Sequence, residues 1–107
     1  MNLSDLSKMK EMMSQARDMQ AQMEQKLVST IVEAESGGGM VQVRMNGKKE
    51  VLRLKIEPTA LSASAGDIEL LEDLIAAAIN EAGRRADQAM KSSVAGMMGN
   101  LNLPELE

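Results

Sequence analysis

Five basic side chains fall between Met40 and Ile56: Arg44, Lys48, Lys49, Arg53 and Lys55, against a single acid, Glu50. Guanidinium and ammonium groups at this density bind phosphate or carboxylate oxygens. Arg84, Arg85 and Lys91 form a second basic group, and Lys8, Lys10 and Arg17 a third. The competing reading is a solvated face, partly neutralised by Glu33 and Glu35. Net charge is −4, so the whole molecule does not attract polyanions, and any nucleic-acid contact must come from a local patch.

Other residues with chemical potential resolve into structure. Gly37-Gly38-Gly39 fits neither a P-loop nor a dinucleotide fingerprint, and a turn needing positive φ explains it better. Glu72 and Asp73 resemble an acid/base pair, but neighbours on a helix point about 100° apart and do not converge. They suit the positive end of a helix dipole instead. Asn80, among small apolar residues, is either a buried specifier of helix register or a solvent-facing amide. The chain has no Cys and no His, which removes disulfides, thiolate nucleophiles, most zinc sites and His-based triads. It has no Phe, Trp or Tyr, which removes base stacking as a route to single strands. The expectation is therefore no catalytic, cofactor or metal site, no small-molecule substrate, and a protein that is not an enzyme.

The elements that must position these charges follow from periodicity. Residues 3–28 read as a helix: Ser4 can cap it, and Leu6, Met9, Met13, Ala16, Met23 and Leu27 form a stripe widened by Met12 and Met19. A helix of roughly 26 residues is ~39 Å long, more than strands of about 17–23 Å can cover. Residues 29–35, 40–45 and 50–57 alternate as strands. Asn46-Gly47 reads as a hairpin turn, and Pro58 ends the last strand. The alternation places Thr30, Val32, Ala34, Val41, Val43, Met45, Leu52, Leu54 and Ile56 on inner faces, and Arg44, Val51, Arg53 and Lys55 on the outer one. Residues 58–67 read as a loop, residues 68–94 as a second long helix, and 96–107 as a flexible tail.

The fold class is thus α/β in the α+β sense, α-β-β-β-α, one domain over residues 1–95 with a three-stranded antiparallel sheet and two helices that outrun it. Wet Met-rich stripes on such a shape mark an interface. A C2 homodimer is expected, with Met9, Met13, Val41, Val43, Leu71 and Ile75 as interface candidates. The N-terminus lacks a signal-peptide core, and the longest apolar run, Leu74 to Ile79, is too short for a bilayer. A cytoplasmic protein without membrane contact is expected.

Three glycines at 37–39 with Val41 and Val43, then Asn46-Gly47, Ile56-Glu57-Pro58, and Leu71-Glu72-Asp73-Leu74 followed by Ala78, Asn80 and Ala82, make a specific combination. In these motifs, and over nearly its whole length, the sequence resembles the YbaB/EbfC family of bacterial nucleoid-associated proteins. Small departures are Glu57 where the family has Asp, Gly83 in the second helix, and Glu105 after Pro104 where Gly is common. The resemblance implies a tweezer-like homodimer with helices projecting from a central sheet, located on the nucleoid. It implies binding of double-stranded DNA that alters DNA conformation, with roles in nucleoid organisation, DNA protection and gene regulation. It places DNA contact on the projecting helices, hence by position on Arg17, Arg84, Arg85 and Lys91, with Arg44, Lys48, Lys49, Arg53 and Lys55 as secondary candidates. The alternative is a protein-interaction scaffold that uses the Met stripe and does not bind DNA.

Overall fold

The computed structural model describes residues 2–63 and 67–100. Its elements are α1 (Leu3–Ser29), β1 (Ile31–Ser36), β2 (Val41–Asn46), β3 (Val51–Ile56), α2 (Pro58–Ala63) and α3 (Ile68–Asn100). The α-β-β-β-α order is as expected, with α2 as an addition. Residues 58–63, read as loop, are helical because Pro58 suits a first helical position, where its missing N–H is no loss and its φ is preset. Ala60 anchors this short helix: it is fully buried, and its N–H donates to the Glu57 carbonyl at 2.9 Å. α3 continues past the expected end near Val94, so Gly96, expected to open a flexible tail, is helical. The rest of that tail, residues 101–107, lies outside the described residues.

The strands form one antiparallel sheet in the order β1-β2-β3. Ala34 sits opposite Val43, and Val43 opposite Leu54, so the inner faces assigned by alternation coincide. The register breaks once. Arg44 pairs with Arg53, but Met45 pairs with Val51, leaving Leu52 as the extra residue of a β-bulge. Val51 therefore joins the inner face beside Met45, where strict alternation had put it outside.

α3 lies across β1 and β2. Ala78, Ala82 and Ala86 are fully buried one turn apart, and their small side chains let the helix backbone close onto the sheet. They pack with Ala34, Val41, Val43 and Met45, flanked by Val32, Leu71, Leu74, Ile75 and Ile79. Ser36 pins the start of this packing by donating its hydroxyl to the Leu74 carbonyl at 2.6 Å. Val41 and Val43, expected at a dimer interface, are buried in this single-chain core and have no surface for a partner. β3 is left beside the helix rather than under it: Leu52 is 49% and Leu54 41% exposed.

α1 is capped by Asn2 rather than Ser4, because Asn2 Oδ1 accepts both the Asp5 N–H at 3.0 Å and the Ser4 hydroxyl at 2.8 Å. None of its 27 residues is buried. It joins the body at its C-terminal end, where the Gly47 N–H donates to the Leu27 carbonyl at 2.8 Å. The β2–β3 turn is a three-residue loop, closed by Lys49 N–H to Asn46 O at 3.0 Å and Asn46 N–H to Glu50 O at 3.2 Å. Its left-handed residue is Lys49, at φ +66°, rather than glycine. Gly47 is needed for another reason: a Cβ there would lie 2.8 Å from the Leu27 carbonyl oxygen. The radius of gyration is 21.2 Å. A compact chain of this length has about 13 Å, so the helices do outrun the sheet.

Candidate nucleic-acid interface

Among the described residues, six of the twelve basic side chains are held by carboxylates. The β2–β3 turn is tied to both long helices: Lys48 Nζ reaches Glu24 of α1 at 2.6 Å, and Lys49 Nζ reaches Asp87 of α3 at 3.0 Å. The hydrogen bond to Glu24, followed by the attraction of its charge, raises the Lys48 ammonium above its ordinary pKa. The stem of Lys49 passes over Gly83, but a Cβ there would stand 3.5 Å from Lys49 Cε, an ordinary contact, so this neighbour does not require the glycine. Lys55 pairs with Glu57 at 3.3 Å.

Glu81 holds two arginines. It accepts from Arg84 Nε and Nη2 at 3.0 and 2.7 Å and from Arg85 Nε at 3.4 Å. The Arg84 hydrogen bond is the larger cause that keeps its carboxyl below the usual glutamate pKa. The spacing of three and four residues from Glu81 to Arg84 and Arg85 is the signal in the sequence that marks this cluster, and the sequence expectations did not include it. The long-range partners Glu24 and Asp87 carried no such signal. The two arginines then diverge. Arg84 shares the outward face of α3 with Lys91, two helical turns on. Arg85 reaches the β1 edge, where Nη1 donates to the Glu33 carbonyl at 2.6 Å.

That contact brings Arg85 to a shallow concavity on the outer face of the sheet, also lined by Glu33, Glu35, Gln42, Arg44, Arg53 and Lys55. Arg44 donates Nε and Nη2 to a single oxygen of Glu33, at 3.0 and 2.7 Å. Arg53, directly opposite Arg44 on β3, forms no ion pair among the described residues. The nine basic candidates thus fall into separate places. Arg17 lies on α1, Arg84 and Lys91 on outer α3, Lys48 and Lys49 at the turn, and Arg44, Arg53, Lys55 and Arg85 around the sheet.

Lys8, Lys10, Arg17 and Lys26 on α1, with Arg53 and Lys91, are the basic side chains without a carboxylate partner among the described residues. Lys10 and Arg17, seven residues apart, share one face of α1; Glu11 and Asp18 share another. The acids Asp67, Glu69, Glu72 and Asp73 lie at the start of α3, which meets the sheet at Ser36, whereas the β2–β3 turn meets α3 further on, at Asp87. Asp67 is a cap, accepting the Leu70 N–H at 3.1 Å. Glu72, Asp73 and Asn80 are all exposed, so Asn80 faces solvent. No described helix is long and apolar enough to cross a membrane.

The chain is similar to proteins of known family. A nucleoid-associated protein of Acidobacterium capsulatum is 60% identical, the match covering 91% of this chain and 93% of the relative. Nucleoid-associated proteins of Koribacter versatilis and Legionella pneumophila are 47% and 44% identical, covering 88% and 87% of this chain and 91% and 83% of theirs. The crystal structure of an uncharacterized protein from Helicobacter pylori matches with a TM-score of 0.66 at 28% identity, covering 92% of this chain and 98% of that one. The family model for YbaB/EbfC DNA-binding proteins matches residues 5–101, so the chain belongs to the YbaB/EbfC DNA-binding family.

Proposed function

We propose that this chain is a nucleoid-associated protein that binds duplex DNA through its phosphates and changes the path of the duplex. The observation that carries this reading is the α1 arm. It buries none of its residues, yet carries four basic side chains without carboxylate partners among the described residues, in a chain whose family binds DNA. Without aromatic side chains or a helix docked for base readout, contact rests on phosphates and is independent of sequence. Arg17 on α1, and Arg84 and Lys91 on the outer face of α3, are the contacts of the two arms. Arg84 first exchanges Glu81 for phosphate, which makes it a weaker contributor than Arg17 and Lys91.

The homodimer belongs to the same proposal. Leu52 and Leu54 continue the inner face of the sheet beyond the edge of α3, and Met9, Met12, Met13 and Met19 lie exposed along α1. Covering such surface against a second copy removes it from water, at about 25 cal/mol per Å². Two copies present the arms in pairs and double every basic patch, which raises the local field.

The test is duplex titration of the wild-type chain and the variants Arg17→Ala, Lys91→Ala and Arg84→Ala/Arg85→Ala, beside a molecular-mass measurement. Each lost phosphate contact lowers the salt slope by about 0.9 and weakens all sequences alike. Unchanged binding in all three variants, or loss confined to one DNA sequence, contradicts phosphate contact by the arms. The scaffold reading instead predicts a protein partner that stays bound after nuclease treatment and at high salt.

A further inference from the structure

We propose that the outer face of the sheet holds a phosphate-binding subsite centred on Arg53 and Arg44, separate from the contacts of the helical arms. The proposal rests on the DNA-binding reading for its physiological ligand, a phosphodiester of the duplex, while the subsite itself recognises a tetrahedral phosphate oxyanion.

Three observations point there. First, Arg44 and Arg53 are direct cross-strand partners. Like charges directly opposite each other destabilise a sheet, and only one of the two is compensated. Glu33 spends one oxygen on Arg44, and no carboxylate reaches Arg53 among the described residues. Second, Arg44, Arg53, Lys55 and Arg85 line the concavity; Arg44 is paired with Glu33, Lys55 with Glu57 and Arg85 with Glu81, which leaves Arg53 as the lining cation without an ion pair among the described residues. Third, Arg85 is held at the rim by its 2.6 Å bond to the Glu33 carbonyl, so this donor is already in place before any ligand arrives. A phosphate seated at Arg53 would accept its guanidinium fork and separate the two like charges. Guanidinium is the group suited to such bidentate recognition. The concavity lies on the face of the sheet away from α3 and meets the helix through Arg85.

The experiment compares the full-length chain with Arg53→Gln, which removes the charge, and Arg53→Lys, which keeps it. Two ligands are used: duplex DNA across a salt series, and inorganic pyrophosphate followed by thermal shift at low salt. For duplex DNA, Arg53→Gln lowers the salt slope by about 0.9 and weakens low-salt affinity roughly tenfold, while Arg53→Lys retains most of the slope. Pyrophosphate raises the wild-type Tm more than that of Arg53→Gln. Without ligand, Arg53→Gln melts no lower than wild type, because it removes an opposed like-charge pair; a residue kept for folding alone behaves the other way. Wild-type slope and wild-type pyrophosphate shift in Arg53→Gln overturn the subsite while leaving DNA binding by the arms intact. A wild-type chain that ignores duplex DNA yet shows an Arg53-dependent pyrophosphate shift overturns the DNA reading and leaves a site for free phosphate.

Discussion

Replacing Gly47 by Ala strikes the joint between α1, the β2–β3 turn and α3. An added Cβ lies 2.8 Å from the Leu27 carbonyl oxygen, 2.9 Å from Met90 Sδ and 3.2 Å from Leu27 Cα. The thioether of Met90 can swing away, but the Leu27 contacts are backbone and cannot. The turn must therefore withdraw from α1, stretching the 2.8 Å bond from the Gly47 N–H to the Leu27 carbonyl. Losing that bond costs about 1 kcal/mol. Overpacking at the joint adds about 1–3 kcal/mol. The narrower unfolded ensemble of Ala returns about 0.4–1 kcal/mol. The net loss is roughly 2 kcal/mol, a Tm lower by ~8–16 °C for a domain of this size. Urea denaturation followed by circular dichroism measures it. The control is Gly38→Ala, where the added Cβ meets nothing but φ is +68°. That backbone conformation costs a residue with a Cβ about 1–2 kcal/mol, offset by the same unfolded-state gain. If Gly47→Ala proves milder than Gly38→Ala, α1 is not seated on the turn as described.

Other perturbations test other parts. Ala82→Leu forces a larger side chain into the fully buried contact between α3 and the sheet and destabilises by about 1–3 kcal/mol in urea melts. Leu54→Lys charges the uncovered inner face of β3; in light scattering it abolishes the proposed homodimer, with the circular dichroism of the chain retained, and an unchanged mass contradicts a dimer through this face. Glu81 has a folded pKa below its unfolded one, so its contribution is present above the ordinary glutamate pKa and is lost as pH falls through the lower folded value. Glu81→Gln therefore lowers Tm at neutral and alkaline pH, where the ionised carboxylate holds Arg84, and flattens the acid-side fall. Lys48 has the opposite sign: its contribution is complete below the ordinary lysine pKa and fades as pH rises through the raised folded value. Glu24→Gln then lessens the alkaline loss of Tm.

Much of this architecture was written in local patterns. The period of two in β1 and β2 fixed which side of Ala34, Val43 and Met45 meets the core, and the apolar stripe of α1, broken once at Gln20 but by no Gly or Pro, gave a helix within a residue of its observed end. What escaped depends on contacts distant in sequence. The bulge at Leu52 is a matter of how β3 fits β2, and it moved Val51 to the inner face. Asn46-Gly47 reads as a hairpin turn in the sequence, but the positive φ of that turn belongs to Lys49, and Gly47 makes room for the Leu27 backbone. Val41 and Val43 were apolar positions that α3 could cover as readily as a partner, and α3 covers them. Pro58 was read only as the end of a strand, although the same ring starts a helix well. At the candidate interface the basic residues were visible from composition and spacing. Their division into paired and unpaired charges was not, because Glu24 and Asp87 reach the turn from helices far along the chain.

The central claim is that phosphates of duplex DNA are the ligand of these charges. A titration of one duplex over a range of salt concentrations tests it most directly. Six basic side chains lack carboxylate partners among the described residues. If each neutralises one phosphate, log K falls against log salt with a slope of about −5, and to the same extent for unrelated sequences. Binding that does not change with salt, or no binding at ~50 mM salt, where phosphate contacts are strongest, contradicts the claim.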